Sequence, residues 1–453
     1  MEFSQYRWTE HSLSGSTGTI RFRAWKDIPY VSMPVAPELQ RLHIFIPSEY
    51  FSGGSINGYT AKTAPIFLPN AIGGYMEARP FCPEVGESGS FNTAAAALAR
   101  GYVVISPGAR GRTTQLNCRY VGKAPAAIVD LKAAVRFIRS ISKFICGDPD
   151  RIISNGTSAG GALSALLGAS GDSPLYQPYL DAMGAEKESD RIFAASCYCP
   201  ITNLENSDTA YEWQFGHLSI QHNTRWEQRD GKWQGIPVIR ELSDSQMALS
   251  RQLAEVFPAY INRLLPNGLC LRADGTGTFL EYIKALLLES AAQARKQGIH
   301  IPQKSGVDLD AMQVDFPGYC GYITRMKEPC AFDNPAMTTP ENELFGSETE
   351  SLRHFTDFGA AHSLSDGAIA PEEQVFLMNA MNFIGSNGCA AHWRIRHGAS
   401  DRDTSFAISA CLAQCLLQSG KDVDYCLPWG VPHSGDYDLD MLFDWIDGIS
   451  QAK

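Results

Sequence analysis

The feature that most constrains this chain is the stretch Gly156-Thr157-Ser158-Ala159-Gly160-Gly161, which reads G-x-S-x-G with an additional glycine. A short apolar strand pattern at 151–154 precedes it, and an alanine-rich helical pattern at 162–167 follows it. A strand, a sharp turn and a helix in this order can hold a serine hydroxyl clear of the backbone. The glycines permit the turn because they carry no Cβ that would collide with the strand or the helix. The sequence therefore predicts that Ser158 is a nucleophile at a helix N-terminus, where free N–H groups stabilise negative charge.

Strand and helix patterns alternate on both sides of this motif. Apolar strand patterns occur at 42–46, 65–69, 102–106, 193–197, 392–396 and 423–427. Helical patterns lie between or after them, at 94–100, 128–138, 404–418 and 437–449. Asn92 and Thr93 can cap the first of these helices, and Gly101 can end it. The alternation predicts a central sheet with helices on both of its faces.

The alternation stops in the middle of the chain, where long helical patterns at 247–257 and 279–294 are separated by polar loops. We interpret residues 231–235 as one of these loops. A mostly helical lid inserted at 203–385, between core segments 1–202 and 386–453, accounts for this change. The lid of about 180 residues has the size of an ordinary domain.

A serine alcohol needs an imidazole to take its proton and a carboxylate to orient that imidazole. His433 lies in a loop framed by glycine and proline, and the order Ser158, Asp401, His433 is the one expected of an α/β-hydrolase. His397 is an alternative base, but it precedes the acid in the chain. Asp401 and Asp403 both fit the acid, and the other one could cap the following helix.

Two backbone N–H groups should stabilise the oxyanion that forms when the serine attacks a carbonyl. One is expected from Ala159, which directly follows the nucleophile. The other should come from the loop after the strand pattern at 65–69, where Gly73 and Gly74 allow the backbone to turn. We predict Gly74 as this second donor.

Composition excludes several other classes of function. The net charge of −11 argues against nucleic acid and anionic membranes as partners. No apolar run approaches the roughly 18 residues of a membrane span, and the N-terminal residues lack a signal-peptide pattern. The 12 cysteines contain no C-x-x-C pair, so we expect reduced thiols and a cytoplasmic location, although secretion without a signal peptide also fits. No pattern indicates a metal, nucleotide or flavin, so we expect no cofactor.

Longer strings of the chain resemble the bacterial tannases. They include the serine motif and its continuation, the segments around the predicted acid and base, and parts of the insertion: 156–162, 394–405, 428–429, 432–437, 324–327, 331–333 and 340–346. The resemblance extends from Ala64 to Gly448. It is weaker at 225–306, within the predicted lid.

The resemblance implies an α/β-hydrolase with a large lid that hydrolyses galloyl esters, with Asp401 rather than Asp403 as the triad acid. Five residues would surround the galloyl ring, the first three at its hydroxyls and the last two at its faces: Lys327, Glu341, Asp403, Ile201 and Pro340. Carboxylates suit this task because they accept hydrogen bonds from adjacent ring hydroxyls.

Other functions are compatible with the same nucleophile. A feruloyl esterase or another aromatic carboxylesterase would share the triad and differ in the acyl pocket, and a peptidase of this fold fits less well. A ring with one hydroxyl has little use for the set Lys327, Glu341 and Asp403. A non-catalytic hydrolase-like binding protein usually lacks a triad member, whereas all three are present here. For an esterase we expect a small aromatic ester as the partner, and the sequence leaves the oligomeric state open.

Overall fold

The computed structural model describes residues 3–229, 232–265 and 268–451. Its strands, in chain order, are β1 (Thr9–Gly15), β2 (Gly18–Pro29), β3 (Arg41–Pro47), β4 (Pro65–Pro69), β5 (Val103–Pro107), β6 (Gln115–Leu116), β7 (Arg119–Tyr120), β8 (Asp148–Thr157), β9 (Ala194–Tyr198), β10 (Ile220–Arg229), β11 (Lys232–Glu241), β12 (Val307–Asp308), β13 (Gln313–Val314), β14 (His392–Arg396) and β15 (Asp422–Cys426).

The helices, again in chain order, are α1 (Thr93–Arg100), α2 (Ala126–Ser140), α3 (Ala159–Ala169), α4 (Gln177–Ala182), α5 (Ser207–Phe215), α6 (Asp244–Leu264), α7 (Thr278–Lys296), α8 (Phe316–Ile323), α9 (Pro340–Leu344), α10 (Asp357–Ala361), α11 (Glu372–Phe376), α12 (Phe406–Gln418) and α13 (Leu439–Gln451). None of the helices in the described part of the chain combines the length and the apolar character needed to cross a membrane.

Nine strands form the central sheet, in the order β1-β2-β3-β5-β4-β8-β9-β14-β15. The six strands from β5 to β15 in this order run parallel to one another, and β1, β2 and β3 form an antiparallel edge. Strands β4, β5 and β9 are buried along their whole length, which explains why they read as apolar runs without alternation. Helices α1, α3 and α12 pack against the parallel strands. The carboxyl ends of these strands therefore meet at one edge of the sheet.

Local sequence signals predicted several elements correctly. The predicted helix at 94–100 is confirmed as α1. The predicted cap is also present, since the Asn92 side chain accepts a hydrogen bond from the N–H of Ala95 over 2.9 Å. Gly101 ends this helix with a φ of 98°, a conformation that glycine adopts without steric cost.

The inserted part of the chain differs in one respect from the predicted helical lid. Helices α6 and α7 confirm the helical patterns at 247–257 and 279–294. The interpretation of residues 231–235 as a loop is wrong from Lys232 onward, because β11 begins there and pairs with β10. Asp230 and Gly231 lie outside the described residues. The sequence did not indicate this strand, because it contains Gly235 and Pro237, and glycine and proline are uncommon inside strands. The boundaries at 203 and 385 stay a prediction.

A substitution at Gly161 tests how tightly α3 packs on the sheet. A Cβ on Gly161 would overlap the carbonyl oxygen of Tyr198 at the end of β9. Gly161→Ala should therefore lower the free energy of unfolding by about 1–3 kcal/mol, although alanine is the better helix former. Gly448 in α13 is the matched control, because a Cβ there meets nothing within 4 Å. Urea unfolding measures both variants, and equal stability of the two would contradict the tight fit.

Candidate active site

Ser158 occupies the sharp turn between β8 and α3. Its φ is 60° and its ψ is −122°, a conformation that costs free energy for a residue with a side chain. The N–H of Ser158 donates to the carbonyl of Tyr198 over 2.9 Å, and its own carbonyl accepts from the N–H of Ala162. These contacts hold the strained turn and leave Ser158 half-buried at the carboxyl edge of the sheet.

His433 and Asp401 reach Ser158 from two other strand ends. Asp401 follows β14, and His433 lies in the loop after β15. The Nε2 of His433 is 2.9 Å from the Oγ of Ser158, and its Nδ1 is 2.7 Å from the Oδ2 of Asp401. In this geometry the imidazole can take the serine proton, while the carboxylate orients the imidazole and stabilises its charged form. The three residues predicted as a triad therefore lie in hydrogen-bonding order.

The carboxylate of Asp401 is fully buried and has partners on both oxygens. Oδ2 contacts His433 and also the Nε2 of His397, at 3.1 Å. Oδ1 accepts from the N–H groups of Asp403 and Thr404, at 2.8 and 3.2 Å. Burial by itself would raise the pKa of Asp401, but His433 and His397 outweigh it and lower this pKa below its usual range. Burial by itself would lower the pKa of His433, but the contact with the Asp401 carboxylate outweighs burial and raises this pKa above its usual range.

His397, the alternative base, contacts Asp401 rather than Ser158. Its side chain is fully buried, with Nε2 towards Asp401 and Nδ1 2.9 Å from the Oγ of Ser409. Both ring nitrogens are therefore engaged away from Ser158. A second imidazole on the acid has no recognisable sequence pattern, because the contact depends on how the turn after β14 folds back.

The two predicted oxyanion donors lie in different backbone conformations. Ala159 is the first residue of α3, so its N–H has no partner within the helix. Gly74 has a φ of 53°, and its carbonyl accepts from the Nε of Arg112 over 2.8 Å. Arg112 also forms an ion pair with Glu343 of α9, which ties this loop to the insertion. The donor roles of Gly74 and Ala159 stay a prediction.

Charged side chains of both signs form a cluster around Asp403, whose N–H donates to Asp401. The Nζ of Lys327 is 2.5 Å from the Oδ1 of Asp403 and lies 4.3 Å from the ring centre of Phe332. The Lys327 and Asp403 side chains are 22% and 31% exposed, so a ligand can reach them. Glu341 is buried at the start of α9. Burial raises the pKa of Glu341, and the nearby charge of Lys327 offsets this effect only in part. Burial by itself would lower the pKa of Lys327, but the charges of Asp403 and Glu341 outweigh it and raise this pKa.

Tyr211 of helix α5 joins the two segments that carry Lys327 and Asp403. Its hydroxyl accepts from the N–H of Lys327 over 2.9 Å and donates to the carbonyl of Arg402 over 3.0 Å. The Tyr211 side chain is fully buried, and both bonds are at least partly buried. This one hydroxyl thus fixes the distance between the insertion and the loop after β14.

The same face of α5 anchors two further segments of the insertion. Asp208 accepts from the N–H groups of residues 332 and 333, at 2.9 Å each. Glu212 forms a fully buried ion pair with Arg325. Asp208, Tyr211 and Glu212 share a face because they are spaced i, i+3 and i+4. Sequence reasoning missed all three, since polar residues at this spacing look like an ordinary solvated helix face.

Ile201 and Pro340, predicted to flank a substrate ring, lie at different parts of the site. The N–H of buried Ile201 donates to the carbonyl of Ser158 over 3.2 Å, and its own carbonyl accepts from the hydroxyl of Tyr75 over 2.6 Å. Pro340 is exposed and directly precedes Glu341 in α9. Ile201 is thus next to the nucleophile and Pro340 next to the charged cluster, and their contacts with a ring stay a prediction.

Within the described residues, one group of potential metal ligands coincides with the triad. The ligand atoms of Cys199, Asp401 and His433 lie within 4.8 Å of one another. The Sγ of Cys199 is 3.8 Å from the Nε2 of His433. Both nitrogens of His433 already contact Asp401 and Ser158, so a metal ion here would compete with the triad. That the chain uses no metal stays a prediction.

Comparison with known structures identifies the family. A tannase from Fusobacterium nucleatum is 41% identical, with 99% of each chain covered and a TM-score of 0.94. A tannase from Lactobacillus plantarum is 42% identical over 98% of this chain and 97% of that chain, with a TM-score of 0.93. The chain belongs to the bacterial tannase family. Another structure similar to this tannase-family chain, at 42% identity, 98% and 97% coverage and a TM-score of 0.90, is a tannin acyl hydrolase in complex with ethyl gallate.

Two shorter matches agree with this assignment. The family model BD-FAE matches residues 84–235 of the tannase-family chain. Esterase LipQ of Mycobacterium tuberculosis (strain ATCC 25618 / H37Rv) is 36% identical over 88 residues, which is 19% of this chain and 20% of that esterase. The match thus spans about a fifth of the length of that curated relative. The predicted α/β-hydrolase fold and the predicted family are confirmed.

Two neighbouring aspartates should have separable effects on the hydrolysis of methyl gallate. Asp401→Asn removes the anion that orients His433, so kcat should fall by about 10⁴-fold with little change in KM. Asp403→Asn removes the partner of Lys327, so KM should rise while kcat falls much less. Steady-state kinetics of the two purified variants checks this, and the reverse pattern would exclude Asp401 as the acid.

Tyr211→Phe should weaken recognition of the substrate ring without removing the triad. It removes the acceptor of the Lys327 N–H, so KM for methyl gallate should rise about tenfold, corresponding to one lost hydrogen bond. Tyr176→Phe is the control, because the Tyr176 hydroxyl donates to the carbonyl of Leu377 over 2.6 Å and contacts no site residue. Equal KM values for both variants would show that Tyr211 only stabilises the fold.

Proposed function

We propose that this chain is a serine esterase that hydrolyses galloyl ester bonds through an acyl-enzyme on Ser158. The observation that carries the proposal is the cluster of Lys327, Asp403 and Glu341, which the N–H of Asp403 connects to Asp401 of the Ser158–His433–Asp401 array. Relatives with 41–42% identity over nearly the whole chain include a tannin acyl hydrolase in complex with ethyl gallate and one in complex with 3,4-dihydroxybenzoate. These ligands support a small aromatic acyl group as the substrate.

In the proposed first half-reaction, the Oγ of Ser158 attacks the ester carbonyl while its proton moves to the Nε2 of His433. The negative charge on the carbonyl oxygen is stabilised by the N–H groups of Ala159 and Gly74. Asp401 stabilises the imidazolium that forms. His433 then gives the proton to the oxygen of the departing alcohol, and the galloyl group remains as an ester of Ser158.

In the second half-reaction, water replaces the alcohol. His433 takes a proton from the water, the resulting hydroxide attacks the acyl carbonyl, and the proton returns to the Oγ of Ser158 as gallic acid leaves. Each step uses the same hydrogen bond between His433 and Ser158, so one geometry serves both half-reactions.

Ring recognition follows from hydrogen-bond chemistry. The carboxyl groups of Asp403 and Glu341 can accept hydrogen bonds from ring hydroxyls, and Lys327 can donate. A ring without hydroxyls would leave these groups desolvated and without partners in the occupied site. Such a mismatch can lower kcat/KM by about 10⁴-fold, whereas one methylene changes it by only about 10- to 200-fold. Selectivity should therefore lie in the number and position of the ring hydroxyls.

A substrate series tests the proposal. Methyl gallate should have the highest kcat/KM, methyl 3,4-dihydroxybenzoate the next, and methyl benzoate should be lower than methyl gallate by about 10⁴-fold. Lys327→Ala should bring the kcat/KM values of methyl gallate and methyl benzoate closer together, because it should lower the value for methyl gallate most. Ser158→Ala, the control for covalent catalysis, should lose about 10⁴-fold or more in kcat.

Similar kcat/KM values for methyl gallate and methyl benzoate would refute the galloyl specificity and favour a general carboxylesterase. A preference for methyl ferulate would favour a feruloyl esterase, and near-normal activity of the Ser158→Ala protein would refute the acyl-enzyme.

A further inference from the structure

A cavity of about 460 Å³ opens beside Ser158, and none of Lys327, Glu341 and Asp403 lines it. We propose that this cavity holds the alcohol portion of the ester, and that Asp436 makes it select neutral hydroxylated alcohols against alcohols that carry a carboxylate. This inference rests on the proposed galloyl esterase function and extends it to the alcohol, the part of the ester that leaves first.

The strand order separates the cavity from Asp403 and its partner Lys327. Ser158 follows β8, whose two neighbours in the sheet are β4 and β9, with β14 beyond β9. The cavity lies on the β4 side, where residues 69–73 and the start of α1 line it. Asp403, which pairs with Lys327, follows β14 on the opposite side. An ester whose carbonyl lies at Ser158 with its ring at Lys327 therefore has its alcohol directed towards the cavity.

The walls of the cavity suit a ring or a sugar. Ile72, Phe81 and Pro69 supply apolar surface, and Asn92 and Thr93 at the start of α1 supply polar groups. Aromatic and aliphatic walls with a few polar groups are typical of small-molecule sites, and the volume lies within their usual range. A methyl or ethyl group would fill little of this space, so the cavity has room for a larger alcohol.

Asp436 is the one charged residue among the described residues that line the cavity. Its Oδ1 accepts from the Nδ2 of Asn155 over 2.9 Å, and its Oδ2 accepts from the Oγ1 of Thr93 over 2.7 Å. Both partners are neutral, so they fix the carboxylate in place without cancelling its charge. A carboxylate on the leaving alcohol would meet this charge in a cavity that offers it no cationic partner, whereas hydroxyl groups can donate to its free lone pairs.

A matched pair of substrates tests the charge selection. In digallic acid, the galloyl ester of a ring hydroxyl of gallic acid, the leaving alcohol carries an ionised carboxylate at pH 7, and the carboxamide of the same compound is neutral and has nearly the same shape. The wild-type protein should hydrolyse the carboxamide with a kcat/KM about five- to tenfold higher, and added NaCl should reduce this ratio.

Asp436→Asn should bring the ratio close to one, because the amide can keep one bond to Asn155 and one to Thr93. Asp440→Asn is the control, since Asp440 is an exposed acid in α13 that does not line the cavity, and the ratio should stay near the wild-type value. A wild-type ratio of one or below, or a ratio equally reduced by both variants, would overturn the selection by Asp436. The salt dependence of the wild-type ratio decides the matter if the Asp436→Asn protein does not fold.

The position of the alcohol is tested separately. Phe81→Ala should lower kcat/KM for the carboxamide by about tenfold more than for methyl gallate, because only the larger alcohol reaches Phe81. Equal losses on both substrates would overturn the cavity as the alcohol site. Failure of the wild-type protein to hydrolyse methyl gallate would instead refute the proposed function itself, so the two failures are distinguishable.

Discussion

A buried carboxylate without partners is among the most costly features that a fold can contain, and the active site is arranged around one that has them. Asp401 has two imidazoles on one oxygen and two backbone N–H groups on the other. The imidazole of His433 connects this anion to Ser158, and the N–H of Asp403 connects it to the cluster of Lys327, Asp403 and Glu341. Because both sets of bonds end on the same carboxyl group, Ser158 and this cluster have a fixed relative position.

A small number of polar contacts hold the segments of the insertion that carry Lys327 and Glu341. Tyr211 and Glu212 of α5 hold the segment with Lys327, and Asp208 holds the segment that leads to α9 and Glu341. Removing one partner of such a contact is costly, since the other is left buried and unsatisfied. The cluster of Lys327, Glu341 and Asp403 is therefore held by rigid elements, which a binding site needs if its side chains are to keep precise positions. Arg112 links α9, through Glu343, to the loop with Gly74 that follows β4.

The two sides of Ser158 have different electrostatic character. Towards β14, Lys327 stands between carboxylates and can both balance their charge and donate to a ligand. Towards β4, Asp436 has neutral partners only and apolar walls around it. An ester is itself asymmetric, with an acid part that stays on the enzyme and an alcohol part that leaves. A site with one polar, charge-balanced side and one roomier, acidic side can hold such a molecule in a single orientation.

The sequence by itself determined what depends on neighbouring residues. The glycines around Ser158, the cap at Asn92 and the apolar strands act over a few residues, so their patterns predicted the turn, α1 and the sheet strands. The order of Ser158, an aspartate and His433 was also readable, because each follows its own strand. The sequence pattern alone left Asp401 and Asp403 as equal candidates, since two residues in one turn differ only in where packing directs their side chains. The hairpin of β10 and β11, the contact of His397 with Asp401 and the role of Tyr211 were decided by tertiary structure. Each of them joins groups that are distant in the chain or depends on how a turn folds back, and no local pattern encodes that.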